Sequence, residues 1–146
     1  SLSKLDVFIK PIKGLYEMVA YLKANGCQLA IATTDKTDRA ELCLRTLDLS
    51  KDFAYVVGAD QVKRSKPDPE MVNLILARSG IAPQNAVVVG DALTDIAIGK
   101  NAGLAASIGV ATGLTTTEKL MEHTEFVIKD ISEMKFSVSR EEPAHA

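Results

Sequence analysis

Short apolar runs alternate with helical apolar stripes along most of the chain, and this alternation is the feature that most constrains its fold. The runs CQLAIAT (residues 27–33), FAYVVG (53–58) and AVVVG (86–90) are rich in residue types that favour strands. They are almost continuously apolar, which is typical of parallel strands covered on both faces. Between them, apolar residues recur at spacings of three and four, which predicts helices.

Residue types that prefer helix ends mark the boundaries of the predicted helices. Gly26 and Gly103 each follow a helical stripe, where a left-handed backbone favours glycine. Asp68 precedes Pro69, so a capping side chain and a proline with a suitable φ predict a helix start. Two further strands are predicted at LAASIGV (104–110) and EFVI (125–128). The alternation predicts an α/β fold, with a three-layer, open, mostly parallel sheet and helices on both faces.

Length and charge narrow the domain count and the possible partners. The 146 residues predict a single domain, expected to span residues 1–136, followed by a polar and mobile tail at 137–146. With 17 Lys and Arg against 19 Asp and Glu, the chain lacks a basic field for nucleic acid. The apolar runs are too short to cross a bilayer, so we expect a cytoplasmic protein without nucleic-acid or membrane partners. Cys27 and Cys43 lie in apolar stretches and are expected to pack in the core.

Open α/β sheets bind ligands beyond the carboxyl ends of their strands, so the residues after each strand are the candidates for chemistry. Thr33 and Thr34 end the first run, where hydroxyl and backbone N–H groups can receive a phosphate oxygen. They could equally start the next turn and help to cap its helix. Lys66 lies in RSKPDPE, where two prolines stiffen the backbone and can point its ammonium group at an anion. The alternative for Lys66 is a solvated lysine before a helix.

The strongest local feature is VVVGDALTDIAIGKNAG, residues 87–103. A strand leads through Gly90 to Asp91, and Asp95 follows one helical turn later, so both carboxylates can face the same point. Two carboxylates at a strand end suit Mg²⁺, which takes its remaining ligands from water and substrate phosphate. The alternative is that Asp91 caps the helix and that Asp95 is a surface charge.

The set of Thr33, Lys66, Asp91 and Asp95 resembles the motifs of the haloacid dehalogenase-like phosphohydrolase superfamily, over roughly residues 10–134. IATT resembles the second motif of that family, KPDPE the third and GDALTD the fourth. The resemblance implies that Thr33 hydrogen-bonds the transferring phosphoryl group and that Lys66 neutralises its charge and steadies the nucleophile. It also implies that Asp91 and Asp95 hold Mg²⁺. KPDPE and GDALTDIAIGKNAG are most similar to the branch with phosphoglycolate phosphatases and β-phosphoglucomutases, which typically carries a helical cap.

The sequence departs from that family at its beginning. The first family motif, D-x-D-x-T, supplies the nucleophilic aspartate, and it does not occur in these 146 residues. Asp6 has no partner acid two residues later and is not assigned that role. The segment that corresponds to the cap is also missing. In the family, the strand with the first motif lies between those that carry Thr33 and Asp91. We therefore expect residues 5–9, LDVFI, to take its place, within the chain or across a dimer that exchanges this segment.

The sequence is compatible with three functions. The first is an Mg²⁺-dependent phosphomonoester hydrolase core acting on a small phosphorylated metabolite, with a truncated chain that is not competent alone, because removal of a nucleophile costs several powers of ten in rate. The second is a non-catalytic relative that binds a phosphorylated metabolite or a partner protein. The third is an α/β domain without phosphate chemistry, which would make the four motif residues a coincidence.

Overall fold

The computed structural model describes residues 14–111 and 115–128, in which helices and parallel strands alternate. The helices are α1 (Leu15–Ala24), α2 (Thr37–Thr46), α3 (Glu70–Ser79), α4 (Leu93–Asn101) and α5 (Thr117–Met121). The strands are β1 (Ala30–Ala32), β2 (Tyr55–Val57), β3 (Val87–Gly90), β4 (Ala106–Val110) and β5 (Phe126–Ile128). Short 3-10 turns at Ser50–Asp52, Ala59–Gln61 and Pro83–Asn85 precede or follow strands.

All strand pairs within the described ranges are parallel. β1 pairs with β2, with Ile31 opposite Val56. β3, β4 and β5 form a second sheet in that order, in which Gly90 lies opposite Gly109. Within residues 14–111 and 115–128, no backbone pairing joins the two sheets. Both sheets are open, as the alternation of helices and strands predicts.

The helices cover both faces of the strands. Successive residues of a strand point to opposite faces, and in β2 Val56 packs in a cluster with α1 and α2, whereas Val57 packs in a cluster with α3 and α4. In β3, Val88 joins the cluster of α3 and α4, whereas Val89 joins Leu22 of α1. The layered α/β arrangement predicted from the sequence is therefore confirmed.

The helix ends follow from local chemistry. Asp68 Oδ1 accepts a hydrogen bond of 3.0 Å from the backbone N–H of Glu70, so this side chain satisfies a donor at the start of α3, as predicted. Gly80, with φ of 73°, ends α3 in the left-handed region, and Gly103, with φ of 71°, follows α4.

One expectation for the first strand is wrong. Cys27 is exposed rather than packed in the core, because the strand begins only at Ala30 and Cys27 lies in the connection that precedes it. The expected coverage of the strands on both faces is incomplete, since Ala30 of β1 and Val87 of β3 are exposed. Each is the first residue of its strand, so coverage by the helices fails at the amino ends. Cys43 is half-buried.

Several predictions lie outside the described residues. The placement of residues 5–9 in the sheet, the role of Asp6, the domain limits 1–136 and the tail 137–146 all fall there, wholly or in part, and stay predictions. None of the helices within the described ranges has the length and apolar character that a bilayer crossing requires.

Candidate functional site

Lys66 lies in the connection between β2 and α3 and is paired with a carboxylate. Its ammonium nitrogen Nζ donates to Asp95 Oδ1 at 2.5 Å, and the two side chains are only 14% and 12% exposed. The peptide bond that follows Lys66, to Pro67, is cis. Lys66 is therefore not the solvated lysine of the alternative interpretation.

Asp95 lies in the first turn of α4 and uses both carboxylate oxygens. Oδ1 accepts from Lys66, and Oδ2 accepts from the backbone N–H of Ala92 at 3.2 Å. The second bond satisfies a donor at the start of the helix, so Asp95, and not Asp91, stabilises this end. A Cβ atom at Gly90 would overlap the Asp95 side chain, so the carboxylate lies directly on the carboxyl end of β3. Asp95 is thus buried and is not a surface charge.

Asp91 lies between β3 and α4, in a different environment from Asp95. Its side chain is exposed, and within the described ranges it takes part in no hydrogen bond or ion pair. The sequence predicts that the Asp91 and Asp95 carboxylates can face the same point. The structure places Asp91 just before α4 and Asp95 in its first turn, with Lys66 bonded to Asp95. Both oxygens of Asp91 are thus without a hydrogen-bond or ion-pair partner among the described residues.

Thr33 and Thr34 follow β1 on a neighbouring connection. The backbone N–H of Thr33 donates to Val57 O at 3.0 Å, which extends the pairing of β1 with β2. Thr33 Oγ1 accepts from the backbone N–H of Asp35 at 3.1 Å, so Thr33 begins a turn, as its alternative interpretation expects. α2 begins at Thr37, and neither threonine caps it. Among the described residues, no direct hydrogen bond joins these threonines to Lys66, Asp91 or Asp95.

The connections after β1 and β2 are joined by hydrogen bonds that the sequence analysis missed. The backbone N–H of Ala59 donates to Asp35 O at 2.8 Å. Thr37 donates to Asp60 Oδ1 from its backbone N–H at 2.7 Å and from its hydroxyl at 2.9 Å. These bonds lower the pKa of Asp60 below its usual value of 3.8. Thr37 and Asp60 lie 23 positions apart, so no local pattern could have paired them.

The contacts join the carboxyl ends of three parallel strands in succession. The turn that follows β1 is bonded to the connection after β2, and that connection is bonded through Lys66 to the first turn of α4, the helix that follows β3. The sequence-predicted site residues therefore lie on these connections or at the start of α4. A cationic group, two carboxylates and two hydroxyl groups at the ends of parallel strands suit an anionic ligand accompanied by a cation.

The carboxylate oxygens of Asp91 and Asp95 are the groups that could bind Mg²⁺. Within the described ranges, no group of three or more Asp, Glu, His or Cys side chains could enclose a metal ion. Mg²⁺ does not need such a group, since it binds one or two carboxylates and keeps several waters. Asp91 offers two oxygens, and Asp95 keeps lone pairs beyond those that accept from Lys66 and Ala92. The residues present therefore fit a magnesium ion.

The family comparison matches most of the chain. The model for haloacid dehalogenase-like hydrolases matches residues 2–110. The pyrophosphatase PpaX of Bacillus velezensis is 35% identical over 132 residues, which are 90% of this chain and 61% of that protein. A phosphorylated carbohydrates phosphatase of Thermotoga maritima is 36% identical over 114 residues, 78% of this chain and 53% of that protein.

A solved structure from Thermotoga maritima, of a protein assigned as a beta-phosphoglucomutase, resembles the fold. It is 34% identical, has a TM-score of 0.76, and is matched over 83% of this chain and 56% of its own chain. The chain thus spans between half and two thirds of the length of these relatives.

Proposed function

The chain belongs to the haloacid dehalogenase-like hydrolase family, and we propose that it forms the phosphate- and magnesium-binding part of a phosphomonoester hydrolase. The observation that carries the proposal is the contact of Lys66 with Asp95, beside Asp91 at the carboxyl end of β3. The names of two relatives support the reaction class, since one is a pyrophosphatase and the other a phosphatase that acts on phosphorylated carbohydrates. We further propose a small phosphorylated metabolite as the substrate.

Lys66 would bind the phosphate and neutralise its charge. A lysine ammonium group has three N–H donors, and one of them is bonded to Asp95. The others make no hydrogen bond to a described residue and would bind phosphate oxygens. Because the side chain is largely buried, its charge is less screened by water than that of an exposed lysine.

Thr33 would add a neutral hydrogen bond to the same phosphate. Its Oγ1 atom already accepts from Asp35, and the hydroxyl hydrogen remains to be donated. Thr34, exposed on the same turn, would contribute in the same way.

Asp91 and Asp95 would hold the magnesium ion. When bound, Mg²⁺ supplies a Lewis acid that polarises a phosphoryl oxygen. The two carboxylates have different tasks in this proposal. Asp91 would supply its exposed oxygens to the cation, while Asp95 would share its charge between the cation and Lys66.

The proposal places the attacking aspartate outside these 146 residues, because the D-x-D-x-T motif does not occur in them. The proposed hydrolase activity therefore concerns a protein longer than this chain. The absence of the motif from the sequence also favours a second candidate function, a non-catalytic protein that binds a phosphorylated metabolite or a partner. Both candidates predict that this chain binds phosphate without turning over a phosphomonoester. A segment with D-x-D-x-T joined to this chain separates them. Hydrolysis of p-nitrophenyl phosphate by the extended chain would favour the hydrolase, and its absence would favour the non-catalytic protein.

The proposal is tested by titration of inorganic phosphate into the 146-residue chain in the presence of Mg²⁺, followed by calorimetry. Replacement of Lys66 by alanine is expected to weaken binding by about 1.5–3 kcal/mol, the contribution of a charged hydrogen bond. Lys63→Ala is the matched control, since Lys63 is an exposed lysine of the same connection and only its backbone makes a described hydrogen bond. Equal affinity in wild type and Lys66→Ala, or an equal loss in Lys63→Ala, would contradict the proposal.

A further inference from the structure

Glu70 holds the backbone that precedes Lys66. It is the first residue of α3, and its two carboxylate oxygens accept from two consecutive backbone donors. Oε2 accepts from the N–H of Lys63 at 3.1 Å, and Oε1 accepts from the N–H of Arg64 at 3.0 Å. A carboxylate that binds two amides in this way fixes the direction in which the chain approaches Lys66.

Asn101 holds the backbone that follows Lys66. It is the last residue of α4, and its amide nitrogen Nδ2 donates to Pro67 O at 2.8 Å. Since Asp95 lies in the first turn of the same helix, α4 contacts this connection at both of its ends. The helix therefore sets both the position of the main chain at Pro67 and the position of the carboxylate that the Lys66 ammonium group meets.

We propose that Glu70 and Asn101 are positioning residues for Lys66, which hold the main chain on either side of it so that its ammonium group stays beside Asp95. A lysine side chain has a flexible four-carbon stem, and ordering it costs conformational entropy. If the main chain on both sides is already fixed, less conformational entropy is lost when a ligand binds. The inference deepens the proposed function and depends on it, because the presented ammonium group is the one assigned to phosphate.

Phosphate affinity in a mutant cycle tests the inference. Glu70→Gln is nearly isosteric and keeps a single acceptor oxygen, while Asn101→Ala removes the donor to Pro67. Each is expected to weaken phosphate binding about twofold to tenfold, the effect of one hydrogen bond. In the Lys66→Ala background neither change should weaken binding further, since the residue they position is gone. A role in stability alone would give the same factor in both backgrounds.

Control variants and a second measurement separate positioning from unfolding. Glu118→Gln removes an exposed glutamate in the first turn of α5, and Asn73→Ala removes an exposed asparagine of α3, and both should leave phosphate affinity unchanged. Amide hydrogen exchange at Lys63 and Arg64 should speed up in Glu70→Gln, while amides of β4 keep the exchange rates of wild type. Unchanged exchange at these two amides would overturn the role of Glu70.

The outcomes distinguish the inference from the function on which it depends. If Lys66→Ala weakens phosphate binding while Glu70→Gln and Asn101→Ala do not, the inference is overturned and the function stands. If both positioning variants lose the same factor with and without Lys66, they act elsewhere, and the inference is again overturned. If Lys66→Ala binds phosphate as wild type does, the proposed function fails and the inference fails with it.

Discussion

The Lys66–Asp95 pair predicts a measurable coupling free energy. The two side chains are 14% and 12% exposed and 2.5 Å apart, so each desolvated charge depends on the other. Removal of one partner from a buried ion pair costs about 3–5 kcal/mol of folding stability. Because both side chains keep some exposure, we expect removal of either partner here to cost about 2–4 kcal/mol. Lys66→Met removes the charge and keeps an unbranched side chain of similar reach. Asp95→Asn keeps an oxygen that can accept from Ala92 N–H.

The assay is urea unfolding of wild type, both single variants and the double variant, extrapolated to water. The double variant leaves no uncompensated charge, so its loss should be smaller than the sum of the single losses by about 1–3 kcal/mol. The exposed Lys23–Asp52 pair, with side chains 43% and 27% exposed, is the internal control. Its coupling should be about 0.2–1 kcal/mol. Additive losses for Lys66 and Asp95, within about 0.5 kcal/mol, would refute the argument that the pair is desolvated and coupled.

Three other predictions concern the same edge of the sheet. Asp91→Ala should abolish Mg²⁺ binding and leave the urea midpoint unchanged, because its exposed side chain makes no described hydrogen bond or ion pair. An unchanged Mg²⁺ affinity would remove Asp91 from the metal site. Because the pKa of Asp60 is lowered, its bonds to Thr37 stabilise the fold fully above about pH 4, and this stabilisation is lost as the pH falls through the folded-state pKa. Asp60→Asn should therefore flatten the dependence of stability on pH in this acidic range. An unaltered dependence would contradict the role of Asp60. Gly58→Ala should cost about 1–3 kcal/mol, because a Cβ there would overlap the backbone of residues 35–37. Gly109→Ala should cost less in the same urea assay, because the atoms nearest to its Cβ belong to the Leu120 side chain and lie at 3.3 Å or beyond. The reverse order would contradict the close approach at Gly58.

Much of the fold could be predicted because it depends on local patterns. The helical stripe that ends before Gly26 corresponds to Leu15–Ala24, and the run at 86–90 corresponds to Val87–Gly90. Apolar periodicity reports which side of an element is buried, so it identifies an element and its type. It does not report where pairing begins, and Cys27 was wrongly assigned to the core because it continues the apolar run before β1.

The contacts within the site could not be predicted from local patterns. The motifs place Lys66 on a connection and Asp95 at the start of a helix, but their direct contact spans 29 positions and depends on how α4 packs against the connection after β2. The bonds of Asn101 to Pro67 and of Thr37 to Asp60 are equally remote in sequence. Such contacts follow from tertiary packing. The sequence therefore indicates which side chains are present, and the structure shows which of them are in contact.

The measurement that tests the central claim most directly is the affinity of the chain for inorganic phosphate, with and without saturating Mg²⁺, in wild type and Asp91→Asn. If Asp91 and Asp95 hold a cation next to the Lys66 ammonium group, Mg²⁺ should tighten phosphate binding in wild type. Asp91→Asn should remove that gain while it keeps the affinity measured without the metal. Phosphate affinity that is the same with and without Mg²⁺ in wild type would contradict a shared phosphate and magnesium site at this edge of the sheet.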